Sequence, residues 1–269
     1  MNKKNVFITI LSLAIAGSII VSTATADDIE ARKVMEKVDA RDDGDHVVSE
    51  LEMILTNKRG KKRIRRIKGF SKDYGENIYR LMFFLAPADV KNTAFMTYDY
   101  DGEKDDDQWL YLPALRKTKR IASDDRTSSF MGSDFSYADM TKPELVNYDY
   151  KLLKETEVHG HRAWVIESVP KTKKVVDDFG YTRSLFFVRQ DNYVPVRAIH
   201  WAKDGGKLKY MDVIKLEKID NIWTSLEISM TTKKGKVTKH KTLLRYHDVK
   251  YNQNLGDEMF SVRIMEKGL

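Results

Sequence analysis

The sequence predicts a mainly β protein built around one antiparallel sheet. Apolar and polar residues alternate through a succession of short segments, which is the period of a half-buried strand. Turn signals such as Asp101-Gly102, Asp220-Asn221 and Lys234-Gly235 separate many of these segments, so consecutive strands should pair through short turns. A sheet of roughly a dozen strands rarely stays flat and should curl into a barrel or part-barrel.

The N-terminus has the pattern of a secretory leader. Lys3 and Lys4 precede an apolar run at 6–21 and the small-residue sequence Ala24-Thr25-Ala26, and together these features are typical of a cleaved signal peptide. We therefore expect residues 1–26 to direct export to the periplasm. Residues 27–269 should then form one domain, since that length supports a single core.

One amphipathic helix should follow the leader. Ile29, Val34, Met35 and Val38 recur at helical spacing behind an acidic first turn, which complements the helix dipole. After this helix, the spacing of apolar residues changes to the two-residue period of strands. One helical turn, predicted at residues 86–91, interrupts the series of strands. Strand patterns occur at 47–55, 62–70, 78–85, 94–100, 108–112, 148–158, 163–169, 183–188, 194–201, 208–216, 222–230 and 239–251.

A long stretch between two of these strands has no strand pattern. Residues 113–144 are punctuated by Gly and Ser, yet they contain Phe130, Met131, Phe135, Tyr137 and Met140. Loops of this length are usually functional or disordered, and large apolar residues argue against disorder. We expect this stretch to act as a lid with short helices that packs on something apolar.

The composition excludes several classes of protein. The chain has no cysteine, which excludes a disulfide framework, a thiol nucleophile and lipidation of its own N-terminus. Its formal net charge is +7 with 32% charged residues, a mild excess that fits an anionic lipid surface or an acidic partner and does not require nucleic acid. Beyond the leader, no segment approaches the length of a spanning helix.

The sequence offers no convincing catalytic or metal centre. Ser133 could act as a nucleophile with one of the six histidines as its base, but the sequence identifies no partner. Ser133 and Asp134 are better explained as the cap of a lid helix that begins near Phe135. The acidic stretch 99–107 does not follow the spacing of a calcium loop. We therefore expect no enzyme activity, no metal and no cofactor.

Two basic clusters are candidates for docking. The first, at 58–68, has eight cations in eleven positions, and the second lies at 116–120. An anionic membrane surface or an acidic exporter domain would attract them, whereas the alternative is a solvated hairpin tip whose like charges discourage edge pairing. The candidate docking residues are Arg63, Arg65, Arg66, Arg116, Lys117, Lys119 and Arg120.

Two blocks of the chain resemble the outer-membrane lipoprotein-sorting family. They are Trp-Leu-Tyr-Leu-Pro-Ala-Leu-Arg-Lys at 109–117 and Phe-Met-Gly-Ser-Asp-Phe-Ser-Tyr at 130–137. The family contains LolA/LolB-like periplasmic carriers, with a branch found beside RND-type exporters. The resemblance implies an unclosed antiparallel half-barrel around an apolar cavity, with short helices as a lid. It also implies a lipoprotein or lipid cargo and an RND-type inner-membrane exporter as the donor.

The function expected from this resemblance is a monomeric periplasmic carrier that shuttles acyl chains between the inner and outer membranes and contacts membrane surfaces transiently. Strands at 78–85 and 185–188 are apolar on both faces, so one face can line a cavity, although an ordinary filled core gives the same pattern. The predicted cavity-wall and lid residues are Leu81, Phe83, Trp109, Tyr111, Leu112, Phe130, Met131, Phe135 and Tyr137.

Two other functions are compatible with the sequence. A filled β-sandwich or barrel would serve as a periplasmic adaptor of an RND-type exporter, docking through its basic hairpin without lipid cargo. A periplasmic hydrolase would require Ser133 and a histidine within hydrogen-bond distance. The carrier instead requires a large apolar pocket beneath residues 130–140.

Overall fold

One antiparallel sheet organises the chain in this computed structural model, which describes residues 27–102 and 104–269. The predicted signal peptide lies outside the described residues. The thirteen strands of the described part are β1 (His46–Asn57), β2 (Lys62–Tyr74), β3 (Asn77–Ala86), β4 (Ala94–Asp99), β5 (Asp107–Leu112), β6 (Lys117–Arg120), β7 (Tyr148–Val158), β8 (His161–Pro170), β9 (Tyr181–Arg189), β10 (Pro195–Ala202), β11 (Lys207–Ile219), β12 (Ile222–Lys234) and β13 (Val237–Lys250).

The strands lie in the order β6-β5-β4-β3-β2-β1-β13-β12-β11-β10-β9-β8-β7. Strands adjacent in sequence are therefore neighbours in the sheet, except β6 and β7, which form its two edges. In addition, β1 pairs with β13 and so joins the first and last parts of the chain. The sheet ends at β6 on one side and β7 on the other, so it is not closed. The prediction of a mainly β, unclosed antiparallel barrel is confirmed.

Three short helices accompany the sheet in the described residues: α1 (Ile29–Asp39), α2 (Lys173–Phe179) and α3 (Val262–Lys267). The predicted N-terminal helix is confirmed as α1, which the Asp28 carboxylate caps by accepting from the amide of Glu30 at 2.9 Å. The other two were not predicted, because six or seven residues are too few for a helical period to show. Within 27–102 and 104–269, no helix has the length and apolar character needed to cross a membrane.

Two local predictions were wrong. Residues 117–120 form an edge strand, although their Lys-Thr-Lys-Arg sequence lacks apolar alternation. Backbone pairing to β5 holds this strand, with Tyr111 opposite Thr118, and an exposed edge has no need of an apolar face. Residues 87–92 form turns rather than a helical turn.

Part of each face of the sheet is covered. The lid segment, defined as residues 121–147, contributes Phe130 and Phe135 to an apolar cluster with Phe84 and Phe95. We call the face that bears this cluster the lid face. The opposite face carries Leu81 and other residues that the C-terminal segment, 252–269, covers. Directly paired residues of antiparallel strands point to the same face. The register therefore decides which side chains face the lid segment and which face the C-terminal segment.

Candidate functional site

A polar row crosses the lid face near the tips of the hairpins. Its members are directly opposite one another in seven consecutive ladders, so they share one face. Because they are hydroxyl, amide, imidazole and ammonium groups, they can bind polar groups of a covering segment. The polar row consists of Tyr150, Ser168, Ser184, His200, Lys209, Thr232, His240 and Asn57.

An apolar row lies beside the polar row, two residues further along each strand. It includes two methionines, whose flexible thioethers adapt to irregular partners, and one polar member, Thr242. The side chains of this row give the middle of the lid face an apolar surface. The apolar row consists of Leu152, Ile166, Phe186, Ala198, Met211, Met230, Thr242 and Leu55.

Aromatic side chains of the lid segment pack on the part of the apolar surface formed by Leu55, Met211 and Met230, whereas α1 covers the part formed by Leu152, Ile166 and Phe186. Phe130 is only 1% exposed, and its ring centroid lies 4.9 Å from that of Phe95 and 6.3 Å from that of Phe84. Tyr137 packs edge-on against Phe130 at 5.5 Å. The large apolar pocket predicted beneath residues 130–140 is therefore not open in this structure, because the lid's own rings occupy it.

Asp134 attaches the lid to both rows. Its carboxylate accepts hydrogen bonds from the hydroxyls of Thr232 at 2.5 Å and Thr242 at 2.7 Å, and it lies 2.6 Å from Nδ1 of His240. The amide of Asp134 in turn donates to the Thr242 hydroxyl at 2.9 Å. A buried carboxylate is stable only when its oxygens are paired in this way, so this one residue fixes the lid over β12 and β13.

Asp139 makes a second attachment, to β9 and β11. The Tyr181 hydroxyl donates to its carboxylate at 2.8 Å, and the Lys209 ammonium lies 3.5 Å from it. Burial first, and then the neighbouring Asp139 carboxylate, raise the pKa of Tyr181 well above its usual value. Tyr181 therefore stays protonated and remains a donor to the lid.

His200 lies beneath this second attachment. Its ring stacks on Tyr181 at 4.6 Å, and a 2.8 Å hydrogen bond joins its Nδ1 to the Ser184 hydroxyl. Burial lowers the pKa of His200 from 6.5 to about 4, against a smaller opposing effect of Asp139. The imidazole is therefore neutral at neutral pH.

A pH dependence of stability follows from the lowered pKa of His200. Below pH 6.5 the unfolded chain binds a proton that the folded chain excludes down to about pH 4, so stability falls as the pH falls through this window. We expect wild type to lose about 2 kcal/mol more than His200→Gln between about pH 6.5 and 5, measured by urea unfolding. Parallel pH profiles of the two proteins would contradict the assignment.

The structure separates the predicted wall residues from the lid. Leu112 packs on the lid face with Phe130, Met131, Phe135 and Tyr137. The remaining four lie on the opposite face, so they do not form one wall with Leu112. The four are Leu81, Phe83, Trp109 and Tyr111.

This separation is a correction with a simple cause. Side chains of a strand alternate between faces, so an assignment shifted by one residue places each of them on the wrong side. The residues that face the lid from β3 and β5, and from β4 between them, are Met82, Phe84, Phe95 and Leu110. Since β3 and β5 are apolar on both faces, the sequence contained no signal that distinguishes the two sets. Binding of a ligand by any of the nine residues stays a prediction.

The predicted docking residues also differ in their surroundings. Arg65 is buried and donates a hydrogen bond to the backbone carbonyl of Met131 in the lid, so it holds the lid and is not presented to a partner. Burial lowers the pKa of Arg65. Arg63 and Arg66, on the same strand as Arg65, are exposed. Arg116 and Lys117, which follow β5, are exposed as well.

The second basic cluster is partly neutralised by acidic neighbours. Lys119 lies 3.5 Å from the Asp125 carboxylate, and Arg120 Nε donates to Asp107 at 2.8 Å. Charge from this cluster is therefore less available to a partner than its sequence suggests. Docking by any of these residues stays a prediction.

Ser133 does not occupy the position predicted for it. Its hydroxyl accepts from the amide of Phe135 at 3.2 Å rather than capping a helix, because no helix begins near Phe135 and the nearest elements of the lid are short 3-10 turns at Phe130–Gly132 and Ala138–Met140. No histidine is hydrogen-bonded to it in the described part of the chain, so the arrangement required of a hydrolase at Ser133 is not present there. Among the described residues, no group of His, Asp and Glu is placed to hold a metal ion.

A groove remains at the edge of the lid. It has a volume of about 300 Å³ and lies between the lid, including Asp134 and Ser136, and the β10–β11 turn with Lys203 and Lys207. This volume is at the lower end of ordinary ligand sites, about 300–1,000 Å³. The groove lies between the lid and the tip of the β10–β11 hairpin.

The unclosed antiparallel sheet, with an apolar face covered by the lid segment, is a LolA-like fold. A crystal structure of a DUF1329 family protein from Desulfovibrio piger superposes with a TM-score of 0.81 at 30% identity, covering 89% of this chain and 99% of that one. A family model described as "Uncharacterized protein" matches residues 76–267. The chain belongs to the DUF1329 family.

Two further solved structures have the same fold. A candidate outer membrane lipoprotein-sorting protein domain from Vibrio parahaemolyticus has a TM-score of 0.80 at 28% identity, covering 88% of this chain and 98% of that one. The LolA superfamily protein NE2245 from Nitrosomonas europaea has a TM-score of 0.65 at 18% identity, covering 87% and 98%. A comparison with curated proteins finds no match.

Proposed function

We propose that this protein is a periplasmic carrier that binds acyl chains of a lipoprotein or lipid on its lid face and shuttles them between the inner and outer membranes. The half-barrel shared with the Vibrio sorting domain and the Nitrosomonas LolA superfamily protein supports this function. The predicted signal peptide at 1–26 supports the periplasm as its compartment. The observation that carries the proposal is the lid, whose aromatic rings cover an apolar face.

The lid explains how an apolar face can be kept ready for cargo in water. Burying one methylene group stabilises a complex by about 0.8 kcal/mol. An apolar face left uncovered in water would therefore favour aggregation, and acyl chains bound to a face with no competing lid would be released slowly. In the closed state Phe130 and Phe135 occupy the position that acyl chains would take. Cargo then replaces the contacts of the lid instead of filling an empty cavity. Because those contacts must be given up, the affinity of the protein for cargo is moderate, and the cargo can be released to an acceptor.

The attachments of the lid are suited to opening. Asp134, Asp139 and Arg65 connect it to the sheet through individual polar contacts, and water can replace such contacts when the lid moves. We infer that a partner, with an RND-type inner-membrane exporter as the donor expected from the family resemblance, favours the open state of a monomeric carrier. A partner can shift this equilibrium only by binding the open state more tightly.

Locking the lid tests the proposal directly. Asp134 and Thr242 are in direct contact, since the amide of Asp134 lies 2.9 Å and its carboxylate 2.7 Å from the Thr242 hydroxyl, and the chain has no cysteine of its own. A disulfide between cysteines at these two positions, its formation checked by thiol titration, would lock the lid. Oxidised Asp134→Cys/Thr242→Cys should bind a fluorescent fatty acid at least about tenfold more weakly than the same protein after reduction, because the tether prevents exposure of the apolar face.

The single variant Thr242→Cys is the control, and its binding should not respond to oxidation. Equal binding by the locked and reduced double variant would contradict a lid-gated site. Mass spectrometry of organic extracts from protein purified from its native source should in addition detect a copurifying lipid.

The adaptor function is the second candidate, and the filled lid face is the observation that favours it. If Phe130 and its neighbours are a permanent core, the protein has no place for acyl chains and acts only by docking to an exporter. Absence of lipid from native extracts, together with no fatty-acid binding by the reduced double variant, would support the adaptor over the carrier.

A further inference from the structure

We propose that the paired tips of the β1–β2 and β12–β13 hairpins form a basic rim that docks on an anionic phospholipid membrane. Docking brings the adjacent edge of the lid segment to the bilayer. The basic rim is defined as residues 57–63 and 233–241. This proposal rests on the carrier function, and it names the surface from which cargo would enter or leave.

Sheet topology brings the two tips together. β1 and β13 are neighbours, and Asn57 lies opposite His240 in their ladder. The two hairpins are far apart in sequence, so the basic run at 58–68 showed only half of the surface. The rim contains ten lysines and arginines, which are Lys58, Arg59, Lys61, Lys62, Arg63, Lys233, Lys234, Lys236, Lys239 and Lys241.

The charge of the rim is not compensated locally. Residues 57–72 and 228–247 contain no aspartate or glutamate, and within the described residues no carboxylate pairs with any of the ten cations. Nearby lysines of the β10–β11 turn behave differently, since Lys203 and Lys207 pair with Asp177 and Asp204. The formal charge of the rim exceeds the +7 of the whole chain, so the remainder is net negative and the molecule is electrically polarised.

Two exposed apolar side chains lie among these cations. Val237 at the tip of the β12–β13 hairpin is 54% exposed, and Ile64, which directly follows Arg63 at the end of the rim, is 49% exposed. Cations surrounding isolated apolar residues match an anionic membrane interface, where headgroups meet the charges and the apolar groups enter the boundary. A purely acidic protein partner would give Val237 and Ile64 no comparable environment.

The rim also contacts the lid attachment. Leu55, Asn57, Lys61, Arg63 and His240 line a cavity of about 210 Å³ between the hairpins. His240 holds the lid through its 2.6 Å contact with Asp134. Phosphate groups of a bilayer drawn to Lys61 and Arg63 therefore come beside the residue that fixes the lid, so docking and opening occur at one place.

Flotation with lipid vesicles tests the docking surface. Cargo-free protein should bind vesicles containing about one third phosphatidylglycerol in phosphatidylcholine, bind pure phosphatidylcholine far more weakly, and dissociate as salt rises. Lys61→Glu/Lys62→Glu and Lys236→Glu/Lys239→Glu should each weaken binding at least about tenfold. The matched control is Lys151→Glu/Lys154→Glu on exposed positions of β7, which changes net charge equally and should weaken binding less than about threefold.

Three results would overturn the proposal. They are no binding of wild type to the anionic vesicles, an equal loss in the β7 control, and displacement by inorganic phosphate at matched ionic strength, which would indicate a site for a single phosphate. Failure of the carrier function has a different readout, because it appears as absence of acyl-chain binding by protein that still floats with vesicles.

Discussion

Replacing Phe130 with alanine should lower the free energy of unfolding by about 3–5 kcal/mol, the cost of removing a buried aromatic ring and leaving a cavity. Phe130 is 1% exposed, and its ring contacts Phe84, Phe95 and Tyr137. The loss should be measured by urea unfolding followed by tryptophan fluorescence. Binding of an apolar probe should rise in the same variant, because the void lies on the lid face.

Leu115→Ala is the control for this substitution. Leu115 is 63% exposed, so its truncation should change stability by less than about 0.5 kcal/mol. A loss below about 1 kcal/mol for Phe130→Ala would show that the lid is not packed on the sheet in solution.

The second large effect is expected for Asp134→Ala, which should destabilise the closed lid by about 2–4 kcal/mol. The substitution removes the shared hydrogen-bond partner of Thr232, Thr242 and His240 and leaves the fully buried Thr242 and its two half-buried neighbours with one partner fewer. Amide hydrogen exchange should accelerate across residues 129–137, since this part of the lid loses its attachment to β12 and β13. Fatty-acid binding should increase for the same reason.

Asp124→Ala provides the matched control within the lid segment, because Asp124 is exposed. Its exchange rates and fatty-acid binding should equal those of wild type. Asp134→Asn retains one acceptor oxygen and should lie between the two. Unchanged exchange at 129–137 in Asp134→Ala would mean that packing alone, and not this carboxylate, holds the lid.

The fold was predictable because most strands carry their own signal. Alternation at 47–55 and 222–230, separated from their neighbours by turn residues, corresponds to β1 and β12. The Asp28 cap and the periodic apolar residues identified α1. Elements without such patterns were missed. β6 is an edge strand with no apolar face, and α2 and α3 are too short to show a period.

The candidate site was predictable only in part. Aromatic residues in a loop that should be polar indicated the lid, and Phe130 and Phe135 do pack on the sheet. Leu81, Phe83 and Trp109 were predicted to form the wall beneath the lid, but they lie on the opposite face of the sheet. Both faces of these strands are apolar, and hydrophobicity alone does not distinguish the face under the lid from the face under the C-terminal segment.

The polar attachments of the lid had no signal in the sequence. Asp134 is 98 residues from Thr232 and 108 from Thr242 in the chain, and neither threonine is unusual in a strand. Arg65 was assigned to an exposed cluster because its sequence neighbours are basic, yet strand alternation turns it inward to Met131.

By itself, the sequence determined the class of fold and the presence of an apolar lid, and it predicted export from the pattern of its first 26 residues. These properties depend on local patterns of hydrophobicity, turns and composition, which act over a few residues. Only the tertiary structure decided which face the lid covers, which buried groups hold it, and that two distant hairpins form one basic rim. These features depend on strand register and on the β1–β13 pairing, which bring together residues that no local pattern connects.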